Sequence, residues 1–147
     1  MLTEKDYCDY ETCVALKELG YKVPTSAYYM PNDSQLLFVP NPFRSGYVID
    51  CFGSHNSFPK DVMTSNYIDA PTMWEAQKWL REEKGMHIEI NLQFLSEEKR
   101  WYWGFTIIYF DNPDLVTING DYSSYEETLS EAIKEAVKIL KNNGKAN

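Results

Sequence analysis

The chain has 147 residues, of which 44% are hydrophobic and 15% aromatic, enough for a folded core and too apolar for a disordered chain. Its 22 acidic residues outnumber 14 basic ones for a net charge of −8, spread over both halves, which opposes phosphate-backbone binding. No run approaches the roughly 18 apolar residues of a membrane helix, and Cys8, Cys13 and Cys51 are an odd set behind an acidic start, MLTEKDYCDY. The expectation is therefore a cytoplasmic protein with free thiols, no disulfide framework and no membrane association.

In chain order, Asp9 is placed to cap a first helix, Tyr10 to Leu19. Its apolar stripe is Cys8, Thr12, Ala15, Leu16 and Leu19, Gly20 ends it, and Tyr21 can fold back against Leu16. Short strands are expected at Ala27–Met30 and Gln35–Val39, joined by the turn formers Pro31-Asn32-Asp33-Ser34. A third is expected at Gly46–Phe52, after Pro40-Asn41-Pro42. Gly53 to Asp69 reads as loop, and any subdomain boundary in what is otherwise a single domain, 1–147, falls there.

The second half is more sharply patterned. Thr72 and Glu75 form a capping-box pair, and Met73, Ala76, Trp79 and Leu80 share one helix arc up to Gly85. A strand follows in which Ile88, Ile90, Leu92 and Phe94 alternate with His87, Glu89, Asn91 and Gln93. Ser96-Glu97-Glu98-Lys99 turns the chain into Arg100–Phe110, apolar on both faces, and Asp111–Asp114 turns it again into a strand Leu115–Ile118. Ser123 or Ser124 caps the last helix, with Glu126 and Glu127 in its first turn. Tyr125, Leu129, Ala132, Ile133, Ala136, Val137 and Leu140 form its stripe, and Asn142-Asn143-Gly144 its stop. The pattern predicts an α+β fold, helices on antiparallel sheet, in the order α-βββ-α-βββ-α.

Catalytic signatures are sparse. Cys51-x-x-x-His55 is half a zinc site, Cys51 with His87 lacks any local nucleophile signature, and the pairs Glu82-Glu83 and Glu97-Glu98 read as solvated charge. No glycine-rich phosphate loop occurs, and nothing calls for a cofactor or metal. The α-β-β-β-α order from Thr72 onward matches the double-stranded RNA-binding domain in outline. That fold presents lysines at the start of its last helix, where this chain has Ser124-Tyr125-Glu126-Glu127.

The aromatics carry the remaining signal. Trp74 lies off its helix's apolar arc, and Tyr102, Ile108 and Phe110 form an apolar row that should lie beside the polar residues of the preceding strand. These four are the candidate partner surface, for the N-terminal strands, a second copy or a foreign protein. Three segments, Tyr10–Tyr21, Ala70–Glu82 and Ser124–Lys134, together resemble small uncharacterised proteins encoded by phages and mobile elements of gut Bacteroidetes. The resemblance implies an accessory protein of a bacterial cell and carries over no site residue. The functional expectation is a non-enzymatic protein that binds another protein. The alternative is nucleic-acid-related, as a binder with that domain outline or an acidic mimic.

Overall fold

A computed structural model describes residues 2–38 and 67–146. The chain is α+β, as the pattern predicts, and divides into two compact units, Met1–Thr72 and Met73–Asn147.

In the first unit α1 spans Tyr10–Glu18. Asp9 Oδ1 accepts from the Thr12 N–H at 2.8 Å, the N-cap its position implies. At the other end Gly20 has φ +102°, Tyr21 N donates to Leu16 O at 2.9 Å and Gly20 N to Lys17 O at 3.0 Å. That pair of bonds is a Schellman motif, and it satisfies carbonyls that the helix end would otherwise orphan. The small sheet has β1 (Ala27–Tyr29) at its centre, between β2 (Leu37–Phe38) and β3 (Ile68–Asp69), all antiparallel. β3 corrects the expectation of loop through Asp69: its partners Tyr28 and Tyr29 supply pairing that local composition does not reveal. The expected strand Gly46–Phe52 lies outside the described residues, as do Cys51 and His55. Tyr29 Oη donates to Cys8 O at 3.0 Å, and Cys8 N donates to Pro71 O at 3.0 Å, tying the segment before α1 to the sheet.

In the second unit α2 spans Met73–Lys84 and ends at Gly85, whose φ of +65° is the left-handed conformation a helix stop requires. Three antiparallel strands follow in spatial order β4-β5-β6: β4 Met86–Leu95, β5 Arg100–Tyr109 and β6 Val116–Tyr122. α3 covers Tyr125–Ala146. Ser124 is its cap, since Ser124 Oγ accepts from Glu127 N at 3.1 Å, and Glu127 turns back to accept from Ser123. Gly144 does not stop α3, contrary to expectation: a glycine ends a helix only where the chain turns off through a positive φ, and here only Gly20 and Gly85 among the described glycines do so.

Both helices pack on one face of the sheet. There Met86, Ile88, Phe105 and Ile107 meet Met73, Ala76, Trp79 and Leu80 of α2 and Leu129, Ile133, Ala136 and Val137 of α3, all buried. Each large aliphatic among them contributes about 1.5–3 kcal/mol by leaving water.

Candidate functional site

The register fixes which side chains share a face. β4 pairs with β5 without a break from Met86↔Tyr109 to Leu95↔Arg100. Ile88, Ile90, Leu92 and Phe94 therefore stand beside Ile107, Phe105, Trp103 and Trp101 on the helix-bearing face. On the other face His87, Asn91 and Gln93 stand beside Ile108, Gly104 and Tyr102. Side-chain bonds agree with this register: Asn91 Nδ2 donates to Thr106 Oγ1 at 3.2 Å, and the Tyr102 hydroxyl donates to Gln93 Oε1.

Of the four sequence-derived candidates, three share a side. Tyr102 and Ile108 are half-buried on the open face, and Phe110, 55% exposed, follows in the next turn with its ring stacked on His87. The row therefore lies beside the polar residues of β4, as the alternation predicts. Trp74 is exposed on α2, across the sheet from Tyr102 and Ile108, so it does not join them. Tyr102 also lies against Gly120, where an added Cβ would meet its ring at 3.2 Å. A β-bulge sits alongside, between Trp103 and Gly104, where Asp121 is the extra residue at φ +76°.

The most exposed aromatic of the sheet is elsewhere, outside the four candidates. At the outer end of the helix-bearing face Trp101 is 63% exposed and Phe94 51%, their ring centroids 5.1 Å apart, with exposed Leu92 next to them. Trp103 continues the strip inward and is half-buried, with Tyr125 of α3 edge-on at 5.6 Å. The cause is length. Ten-residue strands reach ~33 Å, whereas the twelve residues of α2 reach ~18 Å, and α3 begins only at Trp103. The tip of the hairpin outruns both helices. The shortness of α2 is legible in the sequence, but where α3 starts along the hairpin is not, because its 22 residues are long enough to span the strands.

The chain significantly matches no protein-family model, no curated protein and no solved structure.

Acidic side chains of α3 act on Tyr122 of β6. Tyr122 stacks on Phe105 at 6.0 Å, and its hydroxyl pKa is raised by burial and then by the carboxylates of Glu131, Glu127 and Glu135 on α3. At the hairpin loop Arg100 is engaged by Glu98 and, at 2.8 Å, by Asp121, so this cation is already neutralised. The groups buried in the first unit suit packing rather than chemistry. Burial and the neighbouring Cys8 and Asp9 push the Cys13 thiol far up, away from thiolate. Among the described residues no three His, Cys, Asp or Glu side chains gather as a metal would need. No helix among them is long and apolar enough to cross a membrane.

Proposed function

We propose that this chain is a non-enzymatic accessory protein of a bacterial mobile element, acting in the cytoplasm by binding another protein at the tip of the β4–β5 hairpin. The observation that carries this is the strip Leu92, Phe94 and Trp101, continuous with the core through Trp103 yet open to water. An apolar strip with two large aromatics is costly to leave wet, and such side chains are those that dominate interface energetics. The chain's net −8 favours a partner whose apolar plug is flanked by Lys or Arg. The mobile-element setting is supported by the resemblance of the three helical segments.

The test compares the parent with a Phe94→Ser/Trp101→Ser variant, each immobilised and exposed to lysate of the native host. Both sites are more than half exposed, so the variant folds. The expected result is a protein retained by the parent, lost by the variant, and cross-linked by a photoreactive side chain placed at position 101. Equal retention by parent and variant would refute the hairpin as the binding site.

Charge disfavours the binder form of the nucleic-acid alternative. The α-β-β-β-α outline is present in the second unit, but exposed Glu126 and Glu127 occupy the helix start where duplex RNA binders place lysine.

A further inference from the structure

We propose that Asn119-Gly120 in β6 is a self-modification site, where the folded chain cyclises to a succinimide and converts Asn119 into aspartate and isoaspartate, with Tyr122 as proton donor. The sequence holds two Asn-Gly pairs, Asn119-Gly120 and Asn143-Gly144. Such a pair is reactive because glycine has no Cβ to shield its main-chain nitrogen and readily adopts the backbone that ring closure needs. The fold treats the two pairs differently. Gly144 lies inside α3, where its N–H belongs to the i→i−4 ladder and is held by a main-chain carbonyl.

In β6 the reacting atoms are already together. Gly120 N donates to Asn119 Oδ1 at 2.9 Å, so the nucleophilic nitrogen lies beside Cγ, the carbon that carries that oxygen. Asn119 is exposed, which admits hydroxide and water. The β-bulge follows at once, with Asp121 as the extra residue, so pairing is loosest where ring closure must bend the chain. The Asn119 side chain is also hydrogen-bonded to the Tyr122 hydroxyl, in a bond that favours the phenolate and is therefore donated by the amide nitrogen. That nitrogen is the leaving group. Burial above all, then the carboxylates of Glu131, Glu127 and Glu135, outweigh this bond and keep the phenol protonated, able to donate.

The chemistry needs only water. Hydroxide takes the Gly120 N–H proton, the nitrogen bonds to Asn119 Cγ, and Tyr122 protonates the amide nitrogen of the adduct. The Cγ–Nδ2 bond breaks, ammonia leaves, and Tyr122 recovers its proton from water, regenerating hydroxide. One water then opens the ring at either carbonyl, giving aspartate or isoaspartate. Isoaspartate adds a main-chain carbon where β5 and β6 lie so close that a Cβ on Gly104 would meet Asn119 O at 2.7 Å.

The full chain is incubated in mildly alkaline buffer and mapped by mass spectrometry, with fragmentation that distinguishes the two acids. Asn119 should be lost several-fold faster than Asn143, at a rate that rises with hydroxide, and should yield both products. A tryptic digest of fresh protein, incubated alongside, removes the fold, and there the two pairs should react at similar rates. Tyr122→Phe keeps the ring that stacks on Phe105 and should slow the loss at Asn119 several-fold while leaving Asn143 unchanged. An Asn119 that lasts as long as Asn143, a preference equally strong in the digest, or a Tyr122→Phe chain that reacts at the parent's rate would each overturn the proposal.

Discussion

Ile107 and Ile118 offer the same truncation at two extremes of one sheet. Ile107 is fully buried under the helices, whereas Ile118 is 75% exposed on the far face of the neighbouring strand. Ile107→Ala removes atoms from a packed core and leaves a cavity, a cost of about 2–5 kcal/mol. For Ile118→Ala the loss is bounded by the quarter of the side chain that is out of water, about 0.5 kcal/mol. All four tryptophans, Trp74, Trp79, Trp101 and Trp103, lie within Met73–Asn147, so urea unfolding followed by tryptophan fluorescence reports this unit. At an m-value of ~2 kcal/mol/M the midpoint should fall by ~1.5 M for Ile107→Ala and by ~0.25 M for Ile118→Ala. Equal shifts, or the reverse order, would mean that the faces are misassigned, because a slip of one residue exchanges them.

Three further outcomes are expected. Gly104→Ala should destabilise the same unit by about 1–3 kcal/mol in the urea assay, because its Cβ would meet Asn119 O at 2.7 Å and a backbone atom cannot step aside cheaply. Asp69 is held above its ordinary 3.8 by burial, partly offset by the Thr25 hydroxyl and Lys17. The native state therefore binds this proton more tightly than the unfolded chain does, and stability falls as pH rises through the raised value. Asp69→Asn should accordingly melt above the parent at neutral pH by circular dichroism, the gap closing as pH drops toward 3.8; a gap that widens on acidification would contradict the burial argument. Duplex DNA or RNA should not be retained at about 150 mM salt in a gel-shift assay, since net −8 opposes the phosphate term; submicromolar binding with a steep salt slope would reverse that conclusion.

Much of this fold is written in local signals. Asp9 three residues before Thr12, Gly20 after Leu19, and Ser124 three before Glu127 mark helix ends through short-range geometry, and the structure shows each bond they imply. The alternation in β4 likewise fixes which residues share a face, since side chains of a strand point to opposite sides in turn. Long-range pairing is not local, and there the sequence falls silent. Ile68–Asp69 becomes a strand only because Tyr28 and Tyr29 lie alongside. The candidate site belongs to the same class. Alternation puts Leu92 and Phe94 on one face with Ile88 and Ile90, and the register sets Trp101 beside Phe94 on that face. Whether a helix lies over them depends on where α2 and α3 begin and end relative to a ten-residue hairpin, and only the assembled second unit decides that. Which side a residue faces is a property of its own strand; what it meets there is a property of everything packed against that strand.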